Sequence, residues 1–164
     1  MGSRVHPSPR PRFRDWWVYL AGNVAICRAL PPADHERRLL ARAAERAVEP
    51  LTVADMVGGG TIFGIRKPST DAELGELLGA FVLELVPERD GLAINCTAAA
   101  AAPGTDAGVV AAVLAFGQAE ADRLGAVRLT FSTIRPGLAK LMQRQGFEPR
   151  PAHEYCKELA HGKP

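Results

Sequence analysis

Apolar and polar positions alternate with a period of two along several short stretches of the chain, and with a period near 3.6 along three longer ones. Val24, Ile26 and Arg28 alternate against Ala25, Cys27 and Ala29, which predicts a short strand closed by Pro31 and Pro32. Asp34 then stands at an N-cap position. Leu39, Leu40, Ala43, Ala44, Ala47 and Val48 follow on one helical face up to Pro50. The opposite face of this helix is charged and reads as solvated. TIFGIR (61–66), Leu77–Val86 and Leu92–Thr97 are apolar runs separated by turn-forming residues, the pattern of an antiparallel meander. The alanines of 98–102 read as lying past the end of the third strand, and residues 51–60 as a turn. Gly58-Gly59-Gly60 has no Lys-Ser/Thr after it, so it is not a phosphate loop. Pro103-Gly104-Thr105-Asp106 turns into a helix lined by Val109, Val110, Val113, Leu114, Phe116, Ala121 and Leu124 and stopped at Gly125. Val127–Thr133 alternates as a strand, Pro136 opens a short helix ending at Gly146, and His153–Leu159 forms a last strand. A strand, helix, strand passage within a mainly antiparallel sheet predicts an α+β fold with one parallel junction.

Length and charge narrow this picture. The 164 residues suit one core, and 47% hydrophobic with 23% charged residues excludes wholesale disorder. The net charge of +2 is too near balance to argue for nucleic acid. It is unevenly spread, because residues 1–14 hold Arg4, Arg10, Arg12 and Arg14 with no acidic partner, which leaves the rest of the chain mildly acidic. Residues 1–22 are therefore expected to form a proline-rich basic arm ending in the aromatic cluster Trp16, Trp17, Tyr19, with the domain proper over 23–164. The arm reads as a tail or as a dock for an acidic partner or a nucleic acid, and the cluster must be buried in its own domain or in a partner chain. Cys27, Cys96 and Cys156 form no CxxC pair, which argues against a disulfide framework or a metal site and for a cytoplasmic location. No run is long enough for a membrane-spanning helix.

The order of elements resembles the GCN5-related N-acetyltransferase (GNAT) superfamily, whose fold is a mixed, mainly antiparallel sheet with splayed central parallel strands flanked by helices. ICRALPPADHERRLL is similar to that family's first strand and helix, with Asp34 at its common capping aspartate. LAKLMQRQGF resembles its short helix ending in Gly-Phe. More narrowly, IRPGLAKLMQRQGFEPRPAHEYCKEL looks like compact phage-encoded GNAT-like proteins, some of them small internal virion proteins.

The resemblance implies transfer of an acetyl group from acetyl-CoA to a primary amine, of a small molecule or a protein. Asn95, Cys96 and Thr97 would line the cofactor's pantetheine arm, and Gly104, Thr105, Ala107 and Gly108 would offer backbone N–H groups to its pyrophosphate, with Arg135 beside them. Glu84, an acid within an apolar strand, is the candidate base. Cys96 reads as buried and inert, and His153 and Tyr155 as weaker candidates with surface or packing roles. The chain also departs from the family pattern. Ala101 stands for the Arg/Gln of the pyrophosphate turn, Asp106 for its last small residue, Met142 for the tyrosine acid and Arg135 for a frequent asparagine. A carboxylate about 4 Å from a phosphate costs on the order of 4 kcal/mol at an intermediate dielectric. These departures imply a weak or degenerate transferase or, alternatively, a catalytically silent virion or assembly protein.

Overall fold

The computed structural model of the chain describes residues 13, 18–45, 52–68, 75–103, 108–133, 136–152 and 154–159. Among them are eight strands and four helices: β1 (Val18–Ala21), β2 (Val24–Arg28), α1 (Asp34–Glu45), α2 (Val53–Val57), β3 (Thr61–Arg66), β4 (Leu77–Glu88), β5 (Gly91–Ala101), α3 (Gly108–Leu124), β6 (Arg128–Ser132), α4 (Pro136–Arg144), β7 (Glu148–Arg150) and β8 (Glu154–Glu158). All strands join one sheet in the order β1-β2-β3-β4-β5-β6-β8-β7. β5 and β6 are parallel, and every other neighbouring pair is antiparallel. This is the predicted α+β architecture, with its one parallel junction at the predicted strands.

Two apolar layers flank the sheet. On one face the phenylalanines interlock: Phe63 stacks on Phe81 at 5.3 Å and meets Phe116 of α3 edge-on at 4.9 Å, while Phe131 meets Phe147 at 5.4 Å. Met142 of α4 is 1% exposed within this layer. On the other face Leu40 and Ala44 of α1 and Met56 of α2 pack on Ile62, Ala80, Val82 and Ala98. Glu36 of α1 is also buried there, and Arg66 of β3 pairs with it at 3.1 Å and so offsets the cost of its burial.

Four local expectations are corrected and one strand is added. The alanine run does not leave the sheet, because β5 continues to Ala101 with Ala98 to Ala101 in register with Val82 to Gly79 of β4; small side chains let α1 lie close on Ala98 and Ala100. Residues 53–57 are helical, not a turn, since Thr52 and Asp55 form a reciprocal capping box. Glu148–Arg150 pairs with β8 as a further strand despite Pro149. Asp34 is the first helical residue, and the carbonyl one residue earlier, at Ala33, accepts the Arg37 N–H. Finally, within the expected arm, Val18–Ala21 forms the edge strand β1, Tyr19 packs edge-on against Phe116 at 5.6 Å, and Phe13 is buried against Phe63. Trp16 and Trp17 lie outside the described residues.

Candidate active site

The parallel junction does not run the length of its strands. Four rungs join β5 to β6, from Ala93 opposite Arg128 to Cys96 opposite Phe131. β6 then ends at Ser132, while β5 runs on to Ala101 against β4. The register with β4 slips between Val82 and Leu83, so Thr97 is the extra residue of a β-bulge at the point of divergence. Its hydroxyl donates to the Met56 carbonyl at 2.6 Å, tying the bulge to the end of α2. The result is a fork whose mouth lies beyond Cys96 and Phe131.

Backbone alternation gives the fork its chemistry. The Ala102 N–H donates to the Leu78 carbonyl at 2.8 Å. In a two-residue ladder Ala98 and Ala100 therefore also turn their backbone groups to β4, and the N–H and C=O of Ala99 and Ala101 face the fork. An extended chain laid there completes the ladder as an added strand would. Both alanines are exposed, so little side-chain bulk stands in its way.

The structure brings several of the sequence candidates to this place. Asn95 and Cys96 lie on the last two rungs, and Thr97 lies at the mouth. Glu84 is the β4 partner of Asn95 and is half-buried. It has no hydrogen-bond or ion-pair partner among the described residues, and its carboxylate lies beside the Gly59 turn. Cys96 points into the α3 layer, where burial pushes its thiol up to about 12, so it offers no nucleophile. Gly108 is the first residue of α3. Gly104, Thr105, Asp106 and Ala107 lie outside the described residues, as do Arg135 and His153. Tyr155 is half-buried against the α3 layer, opposite Phe131 at the last rung.

On the α1 face, beside the helices, the sheet carries a cavity of about 260 Å³. Asn95 and Thr130, opposite one another on the parallel pair, lie at its centre, and the Thr130 hydroxyl donates to Asn95 Oδ1 at 2.8 Å. Arg128 and Glu88 border it on one side, Arg150 and Glu154 on another. Arg128 pairs with Glu88, Asp90 and Glu158, and Arg150 pairs with Glu158 at 2.9 Å. The Cys156 thiol, raised by burial, is a neutral part of the wall. The sequence alone did not single out Thr130, Glu154, Ala99 or Ala101. Thr130 becomes conspicuous only once the parallel register sets it against Asn95.

The chain matches no model of a known protein family and no curated protein. Among solved structures it is similar to a GNAT family acetyltransferase from Elizabethkingia anophelis with acetyl-CoA bound, at TM-score 0.60 and 16% identity over 84% of this chain and 99% of that one. It is similar to a chain of the NatC complex bound to Gag peptide and CoA, at TM-score 0.60 and 10% identity, again over 84% and 99%. A third likeness is to N-acetylglutamate synthase from Neisseria gonorrhoeae complexed with coenzyme A and N-acetyl-glutamate, at TM-score 0.61 and 18% identity over 83% of this chain and 35% of that one. The fold is thus that of the GNAT acetyltransferases. The narrower likeness to phage proteins stands on the sequence alone.

Proposed function

We propose that the chain is an acyl-CoA-dependent N-acyltransferase that binds acetyl-CoA in the β5/β6 fork. One observation carries this reading: the parallel pair is closed to Cys96 and Phe131 and open beyond, with a bulge at Thr97 and two alanines turning their backbone groups into the gap. Acetyl-CoA suits the gap because its pantetheine arm is narrow and carries amide groups that pair with a strand edge. The CoA-bound proteins of the same fold support the same cofactor. Gly108, with 104–107 before it, stands at the start of α3, where backbone N–H groups and the helix dipole favour an anion such as the pyrophosphate. Cys96 and Asn95 hold the closed end of the fork, so the contacts expected of them pass to the backbone of Thr97–Ala101.

The reaction is direct attack of an unprotonated amine on the thioester carbon. A C–N bond forms, the C–S bond breaks, the amine nitrogen loses a proton and the CoA sulfur gains one. Glu84, without a partner among the described residues and one strand from Asn95, is the base that takes the amine's proton, directly or through one water. Met142 cannot serve as the acid, since it has no proton to give and lies in the core. Tyr155, in register with the last rung, supplies the phenol in its stead. The silent alternative draws on Met142 and Asp106. Calorimetry with the full chain separates the two readings. Acetyl-CoA is expected to bind one to one, and Asp106→Gly is expected to tighten binding by about tenfold or more through removal of like-charge repulsion. Absence of heat at millimolar acetyl-CoA for both proteins would leave only the silent reading.

A further inference from the structure

The cavity on the α1 face has a donor and acceptor inventory that specifies what it holds. Thr130, 9% exposed, donates to Asn95 Oδ1, which leaves the Nδ2 end of the amide turned away from it. The Asn95 Nδ2 group has no partner among the described residues, and Asn95 borders the cavity. Two donors therefore stand ready for oxygen atoms of a ligand. Glu154 borders the same cavity with no ion-pair partner among the described residues, an acceptor for a cation. Both arginines there are already matched, Arg128 by three carboxylates and Arg150 by Glu158. Among the described residues lining the cavity, no uncommitted cation remains to receive a carboxylate.

Size and spacing narrow the ligand further. Glu154 pairs with Ser132, two residues above Thr130 and two strands from β5. Its backbone is thus about 11 to 12 Å from that of Asn95, by a strand spacing of about 4.8 Å and a rise of about 3.3 Å per residue. With two side chains reaching inward, one small molecule bridges the gap. A volume of about 260 Å³ lies just under the range of about 300–1,000 Å³ typical of small-molecule sites. We infer that the cavity is a ligand subsite beside the fork, and that it takes a small hydroxylated amine without a carboxylate, of the amino-alcohol or amino-sugar class, with Glu154 on the ammonium and Asn95 Nδ2 on a hydroxyl; Glu84 does not line it, so the nitrogen seated there is not the one that Glu84 deprotonates. Thr130 is a positioning residue that acts through Asn95. Occupancy of the cavity does not rest on the proposed transferase activity.

The test is therefore a set of NMR titrations of the full chain without CoA, using glucosamine, cyclohexylamine, glucose and serine as probes. Glucosamine is expected to bind at least about tenfold tighter than the other three, about what one hydrogen bond to a charged group supplies. Glu154→Gln is expected to abolish the preference for glucosamine over glucose. Thr130→Val is expected to abolish the preference over cyclohexylamine, and Thr130→Ser to restore it. A purely structural role of Thr130 would weaken all probes alike. Serine or cyclohexylamine binding as tightly as glucosamine, no binding of any probe, or variants that keep the original order would each overturn the inference. Loss of acetyl-CoA binding in the separate calorimetric titration would instead strike at the transferase reading and leave cavity occupancy to be judged on the titrations.

Discussion

Single residues decide whether the fork can be reactive. Glu84 sits on the same rung as Asn95 and carries no competing ion pair among the described residues. Glu84→Gln should lower kcat by about 10²-fold or more, the usual contribution of a positioned base, with the acetyl-CoA dissociation constant unchanged. An unaltered kcat would remove Glu84 from the mechanism. Cys96 shows the opposite case of a functional atom type in an inert setting. Burial raises its thiol to about 12 from 9.0, so it stays protonated through neutral pH and resists alkylation at pH 8 until the protein unfolds. The sign follows from linkage: the unfolded thiol ionises first, so stability falls as pH rises from about 9 towards 12. Mass spectrometry after a brief alkylation of the native protein checks this, and rapid labelling of Cys96 would contradict it. Cys96 was legible from the sequence as an inert thiol because no activating group lies near it in the chain. The bond from Thr130 to Asn95 was not legible, because the two are 35 residues apart and meet only through the parallel register.

At the scale of elements, amphipathic period and capping chemistry account for most of what the sequence made plain. The long apolar α3 and the alternation of β6 declare themselves, since burial on one or both faces leaves a regular trace. β5 past Thr97 and α2 do not. Alanine has little strand preference of its own, and Ala98–Ala101 is held extended by pairing with β4 and by the close approach of α1. Helix α2 is only five residues long and depends on its cap, a Thr-x-x-Asp signal that could have revealed it. Gly60, just beyond, admits no side chain, because a Cβ would lie 2.6 Å from Val82 Cγ1. Hydrogen bonds from the Thr52 side chain and backbone hold the Asp55 carboxyl below its ordinary value. The helix is therefore supported above the usual carboxylate pKa of about 3.9 and loses that support as pH falls through the lower folded value. NMR titration of Asp55 should show a midpoint below the usual carboxylate value, and Thr52→Ala should return it upward. A midpoint that ignores the substitution would refute the capping account.

In the molecule as a whole, the sheet divides the work between its faces. The α3 face provides a dense aromatic layer that fixes the closed end of the fork, while the α1 face leaves a polar cavity beside the last rungs. The parallel junction is the seam between them, and beyond Cys96 the interior strand β5 runs on without β6 beside it. No described helix is long and apolar enough to cross a membrane. The order of elements was readable because each has its own hydrophobic rhythm. The depth of the fork was not, since it depends on where β6 stops pairing and on a bulge that no local pattern marks.

Hydrogen exchange resolved to single amides, with and without saturating acetyl-CoA, tests the central claim most directly. Binding in the fork predicts that the amides of Ala99 and Ala101 slow markedly, while those of Ala98 and Ala100, already turned towards β4, change little. Equal exchange at Ala99 and Ala101 in both conditions, with acetyl-CoA demonstrably bound, would contradict it.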